Sequence, residues 1–262
     1  MKLPISVFII AKNEADRIPL SIRSVRDWVD EVIVIDSGSE DETVKISEDL
    51  GARVVFNEWP GYGPQKIFGE GLCRNNWLLN IDADEEITPQ LAEEIKNLFA
   101  KGEPPLEAYR LPILPIQAGQ TSGHPWTARH KPVRLYRKDK AGFKDELVHD
   151  SVALRPGARS AKLKGMVKHR SFRSLWHHVE KTNFYTSAQA EVLEKKGKAP
   201  GALLLLTIPC MAFFKAYVLR REFVNGTDGI VNAQMYAFQR FIRLAKTRER
   251  TRVKRDKEIG DS

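Results

Sequence analysis

Cysteine is nearly absent: Cys73 and Cys210 are the only two in 262 residues. That excludes a disulfide framework and a paired-cysteine zinc site, and a reducing, cytoplasmic setting fits. No unbroken apolar run reaches the ~20 residues of a comfortable bilayer span. The strongest candidate, Ala202 to Phe214, is interrupted by Pro209 and followed by Lys215 and Arg220. There is no internal repeat and no low-complexity tract. No glycine-rich phosphate loop follows the first apolar run; KNEAD (Lys12 to Asp16) stands there, too acidic for a triphosphate, which weighs against a nucleotidyltransferase. Helix-turn-helix, zinc and RNA-binding signatures are also missing, so a nucleic-acid-binding module is disfavoured. The N-terminus MKLPISVFIIAKNEADRI has a cation and a short apolar run but no small-residue cleavage site. It is expected to be a first buried strand, not a signal peptide.

What is present is an ordinary folding composition, 42% hydrophobic and 29% charged, long enough for one substantial core or a core with a smaller appendage. A net charge of +8 points to an anionic partner. The cations crowd the end, in RFIRLAKTRERTRVKRDK (Arg240 to Lys257), whereas residues 1–100 hold acidic clusters. The two halves are therefore expected to meet different surroundings.

Residues 1–100 alternate strand and helix patterns. ISVFIIA (Ile5 to Ala11), Val32 to Ile35, Ala52 to Glu58 and NWLLNID (Asn76 to Asp82) read as strands buried on both faces. Between them, Ala15 to Val29 reads as a helix with Asn13 placed to cap it, Ser39 is placed to cap a helix through Leu50, PGYGPQ is a turn, and Gln65 to Asn76 is helical. Pro89 opens a further helix that Gly102 stops. Such alternation predicts an α/β fold with a mostly parallel sheet, whose ligands bind beyond the carboxyl ends of the strands. Asn13 and Glu14, Asp36 and Ser37, and Asp82 and Asp84 follow those strand ends and are expected to converge on one rim. From Glu103 to about Val167 the pattern implies added strands, some antiparallel, with long loops over the rim. Ser171 to Lys198 reads as a helix, with His177 and His178 on its surface. Ala202 to Phe214 reads as a surface-lying or re-entrant segment, the alternative being a buried helical hairpin.

The pair in LLNIDADEEIT concentrates the chemistry. Two carboxylates one residue apart repel. They are tolerated either as a solvated acidic turn or because both serve a divalent cation such as Mg²⁺ or Mn²⁺, completed by phosphate oxygens.

FIIAKNEADRI, VIVIDSGSEDETVKI and WLLNIDADEEITPQL, in that order and spacing, resemble the linked signatures of inverting family 2 glycosyltransferases with the GT-A fold. RLYRKDKAGFKDELVHDSV is similar to the acceptor-side segment of bacterial members, closest to the lipopolysaccharide core β-glucosyltransferases. The resemblance implies a GT-A domain over 1–170, with a nucleotide-sugar half at 1–100 and an acceptor half at 101–170. A helical, apolar and basic membrane-associating region then spans 171–262. It implies that Ala11, Asn13 and Glu14 line the base and ribose, and that Asp36, beside Ser37, accepts from the base imide. Lys66 would contact the nucleotide, Asp82 the donor sugar or ribose, and Asp84 the metal. The base that deprotonates the acceptor lies in FKDELVHD: Glu146 first, Asp145 next, with Asp150 and a possible metal ligand, His149, nearby. The expected activity is transfer of a sugar, glucose from UDP-glucose, to a lipopolysaccharide-core or other lipid-linked acceptor. The expected place is an anionic membrane surface, the cytoplasmic face of the inner membrane.

Overall fold

The computed structural model describes residues 2–127, 130–146, 151–195 and 199–260, with backbone alone over 255–260. These divide into two compact units: Met1–Ile116 with Ala128–Ser171, and Gln117–Thr127 with Phe172–Ser262.

The first unit begins with β1 (Leu3–Ala11), α1 (Ile18–Arg23), β2 (Val29–Asp36), α2 (Thr43–Asp49), β3 (Arg53–Phe56), α3 (Tyr62–Leu72), β4 (Trp77–Asn80), β5 (Glu85–Ile87) and α4 (Pro89–Phe99). It continues with seven short strands: β6 (Ala108–Arg110), β7 (Ile113–Pro115), β8 (Val133–Arg137), β9 (Ala141–Phe143), β10 (Val152–Leu154), β11 (Ser160–Lys162) and β12 (Val167–His169). Seven strands form one mixed sheet in the order β11-β6-β8-β4-β1-β2-β3. β4, β1, β2 and β3 run parallel, and β8 is antiparallel to both β4 and β6. The expected mostly parallel sheet flanked by helices is what the chain forms.

The central strands are continuous apolar runs because both faces are covered. Ile5, Val7 and Ile9 face Ile18 and Ile22 of α1 and Leu91 and Ile95 of α4. Phe8, Ile33, Ile35, Leu78 and Tyr136 make the second layer under α3. Gly69 of α3 lets that helix close down, since a Cβ there would stand 2.8 Å from the Phe8 ring. Thr88 caps α4, accepting from the Leu91 amide, with Pro89 in the first turn.

Three local expectations are corrected. The first helix is only six residues long, because Ser24 to Trp28 turns tightly and Val29 pairs with Leu3 as the start of β2. Val25 and Val29 are buried in either arrangement, so their helical spacing did not discriminate. Neither Asn13 nor Ser39 caps a helix: Asn13 sits at φ 55° and its side chain takes the Glu40 amide, while Ser39 turns back to Asp36. PGYGPQ is not wholly a turn, because Tyr62 already opens α3.

The second unit contains α5 (Leu175–Glu194), α6 (Ala202–Phe214) running into a π-helical turn at Lys215–Leu219, a 3₁₀ turn at Glu222–Asn225, and α7 (Gly226–Gly260). α5 and α6 both pack on α7 through small side chains, including Ala190, Ala212, Ala233 and Ala237. Only 11% of the apolar stretch Ala202–Leu219 is buried, so it is not a core hairpin. By length and composition it suffices to cross a membrane.

Candidate active site

The carboxyl end of β4 leads directly into Asp82 and Asp84, and two charge networks meet there. The lower one is built from beneath. Lys66 of α3 has no exposed surface, and its ammonium donates to Asp82 Oδ1 at 2.7 Å and Asn80 Oδ1 at 3.0 Å. Arg134 of β8 gives Nη2 to Asp82 Oδ2 and to Glu85 Oε1, both at 3.0 Å, and Nη1 to Asn80 Oδ1. The second Glu85 oxygen accepts the Asp82 amide at 2.9 Å. Among the described residues two cations face two carboxylates here, and such pairing is how charges persist away from water. Burial alone would raise the Asp82 carboxyl, but the charges of Arg134 and Lys66 outweigh it and hold Asp82 well below the usual carboxylate range. For Glu85, burial wins over Arg134 and pushes the carboxyl up.

The upper network surrounds Asp84. Its Oδ2 lies 3.3 Å from Arg17 Nη1 and its Oδ1 lies 3.3 Å from His169 Nε2. Arg17 grips Glu14 with Nε at 2.7 Å and Nη2 at 2.6 Å and donates to the Arg170 carbonyl at 2.7 Å. His169 arrives on β12, which pairs antiparallel with β5 and sets His169 opposite Glu85. Burial lowers its imidazole, but the hydrogen bond and charge of Asp84 outweigh that and hold it above its ordinary value.

The loops after β1 and β2 are joined beside this acidic turn, since Ala11 and Asp36 are register partners. The Asn13 amide donates to Ser39 Oγ at 2.9 Å, the Glu14 amide to Thr43 Oγ1 at 2.7 Å and the Ala15 amide to Asp41 at 3.1 Å. Asp36 is buried and caps its own turn, with Oδ2 accepting from the Gly38 and Ser39 amides at 2.9 and 3.0 Å and Oδ1 from the Ser39 hydroxyl. An imide N–H reaching Asp36 has to share Oδ1 with that hydroxyl. Ser37 is buried, its hydroxyl accepting from Gln65 at 2.9 Å. Lys66 is buried, and its ammonium supports Asp82 from below.

Asp145 and Glu146 are exposed, on the loop after β9. That loop lies on the start of α3: the Gly63 amide donates to the Glu146 carbonyl at 3.0 Å, and a Cβ at Gly63 would stand 2.4 Å from the Lys144 carbonyl oxygen. His149 and Asp150 lie outside the described residues. Among the described residues, the imidazole beside Asp84 is that of His169.

Among the described residues, no three His, Cys, Asp or Glu side chains gather into a preformed metal cage. Asp84 and His169 supply one oxygen and one nitrogen side by side. The Asp84 oxygen fits Mg²⁺ or Mn²⁺ where phosphate oxygens complete the coordination, since these ions use few protein ligands at diphosphate sites, and the His169 nitrogen favours Mn²⁺ of the two. The residues that local motifs did not reveal are Glu85, which directly follows the acidic pair and turns inward, and Arg17, Arg134 and His169, which tertiary contacts bring in.

A family model described as Glycosyl transferase family 2 matches residues 6–152. A glycosyltransferase of Rickettsia bellii is 44% identical over 253 residues, covering 94% of this chain and 86% of its own. The lipopolysaccharide core biosynthesis glycosyltransferase LpsC of Rhizobium meliloti is 27% identical over 267 residues, covering 100% of this chain and 98% of its own. Among solved structures, glucosyl-3-phosphoglycerate synthase from Mycobacterium tuberculosis, in complex with Mn²⁺, uridine-diphosphate and glucosyl-3-phosphoglycerate, is 27% identical. It covers 44% of each chain with a TM-score of 0.35, a likeness too slight to locate any residue.

Proposed function

The chain belongs to glycosyltransferase family 2, and on that premise we propose that it is a metal-dependent, inverting hexosyltransferase. It moves glucose from UDP-glucose to a lipopolysaccharide-core or other lipid-linked acceptor. The observation that carries this reading is the strand-end pair Asp82 and Asp84: one is kept ionised by buried cations, and the other stands beside an imidazole.

Ala11, Asn13, Glu14, Asp36 and Ser37 line the nucleotide, and Asp82 meets the ribose or donor sugar. Lys66 and Arg134 fix the Asp82 carboxylate from below and from the side, so that its orientation is set before the donor arrives. Asp84 and His169 would hold Mg²⁺ or Mn²⁺, which when bound supplies Lewis-acid stabilisation of the departing nucleoside diphosphate. Glu146, or Asp145 next to it, takes the acceptor hydroxyl's proton as that oxygen attacks the anomeric carbon from the face opposite the diphosphate. Attack from that face inverts the configuration.

The acceptor class is supported by the whole-length relationship to LpsC and by the motif resemblance. The exposed apolar stretch and the basic α7 support a peripheral position on the anionic, cytoplasmic face of the inner membrane. Release of UDP from UDP-glucose, measured with Mn²⁺ and extracted core acceptor, tests the reading. Asp84→Ala should lose nearly all activity, and an unimpaired Asp84→Ala protein would sink the metal assignment. Glu146→Gln should abolish transfer while still binding donor; continued transfer would place the base elsewhere.

A further inference from the structure

The second unit gathers cations for which the described residues supply no counter-charge. The guanidinium carbons of Arg220 and Arg240 stand 4.4 and 4.7 Å from the centroid of the Tyr236 ring. Both donate Nη2 to the same phenol oxygen, at 3.4 and 2.9 Å. Two positive groups therefore meet at one oxygen atom. Arg243, one turn further along α7, has a buried Nε with no hydrogen-bond partner. Lys215 adds a fourth charge close enough to act on Tyr236. Burial would raise the Tyr236 phenol, yet Arg240, Arg220 and Lys215 outweigh it and hold the phenol below its ordinary value. Like charges so close repel unless an anion joins them. Paired guanidiniums are the groups best shaped to take phosphate oxygens two at a time.

The cluster also has a position. Lys215 follows Phe214 directly and Arg220 follows Leu219, so the cations stand at the carboxyl end of the Ala202–Leu219 stretch. Along that stretch Leu203, Leu206 and Met211 are 73%, 70% and 66% exposed. An exposed apolar segment that ends in clustered arginines matches a bilayer's own order, acyl chains first and phosphates next.

We propose that Arg220, Arg240 and Arg243, with Lys215 beside them, form a binding site for the headgroup phosphate of an anionic phospholipid. This site and the exposed face of Ala202–Leu219 dock the C-terminal unit on the membrane. The proposal rests on the peripheral-membrane part of the reading above and gives it a location.

The test is flotation of the full chain with phosphatidylcholine vesicles, with and without phosphatidylglycerol, at physiological salt. The intact protein should float with the anionic vesicles. Arg220→Gln/Arg240→Gln should bind them about 30-fold more weakly, as expected for two cations removed from a lipid surface. Arg220→Lys/Arg240→Lys should recover only part of the binding, because the charge returns without the guanidinium fork, and millimolar inorganic phosphate should not displace the intact protein. Thermal melts identify variants that remain folded. A folded Gln pair that floats like the intact protein overturns the site and leaves the peripheral reading standing. An intact protein that floats with no vesicle overturns both, while UDP release still reports separately on the transferase. A folded Lys pair that binds like the intact protein overturns the guanidinium assignment, and displacement by inorganic phosphate, or a sedimenting dimer that the Gln pair disperses, overturns the lipid assignment.

Discussion

Lys66→Met keeps the length and volume of the side chain and removes only its ammonium. In the folded chain that group has no exposure and, among the described residues, donates to Asn80 and Asp82. Removing one partner of a buried ion pair costs about 3–5 kcal/mol. Here Asp82 keeps Arg134 and is itself 28% exposed, so water relieves part of the loss. The expectation is about 3 kcal/mol at neutral pH, the low end of that range, read as a shifted urea midpoint with an unchanged slope. The pH dependence supplies a sign. The Asp82 carboxyl is depressed by folding, so its contribution is fully present above its unfolded value of about 4 and is lost as pH falls through the lower folded value. Without Lys66 the depression shrinks, so the intact chain and the variant differ most near neutrality and converge in acid. A neutral-pH difference under about 0.5 kcal/mol, or a gap that stays constant into acid, would refute the assignment of Lys66 as the support of Asp82.

Gly63→Ala should lower kcat while leaving donor affinity alone, because the new Cβ would displace the backbone of Lys144 and Glu146. Equal losses in kcat and donor binding, separated by titration and steady-state kinetics, would break the link between α3 and the acceptor loop. His169→Ala should weaken Mn²⁺-dependent donor binding by at least about 10-fold, the least expected even for outer-shell changes at metal sites. Unchanged metal dependence in calorimetry would remove His169 from the site.

Much of the first unit was legible because parallel strands covered on both faces must be continuous apolar runs, and each ends where polar residues begin. Asp36, Asp82 and Asp84 were visible for that reason. Arg134 was not, because its run, VRLYRK, shows several cations and only the pairing of β8 with β4 selects one. His169 was hidden more deeply: it lies 85 positions after Asp84, no local motif marks it, and it meets the acidic turn through the β12–β5 ladder. Arg17 lay unmarked within the segment expected to be helical, yet it folds inward between Glu14 and Asp84. The exposure of Ala202–Leu219 was legible only through its flanks: apolar composition is the same for a core hairpin and for a lipid-facing segment, and Lys215 and Arg220 favoured the surface reading.

The most direct test of the account is calorimetric titration of UDP-glucose into the intact chain and into Asp84→Ala, each with Mn²⁺ and with chelator. The predicted result is binding by the intact chain that chelator or the Asp84→Ala change abolishes. Equal binding by both proteins, or none of any nucleotide-sugar by the intact chain, would contradict it.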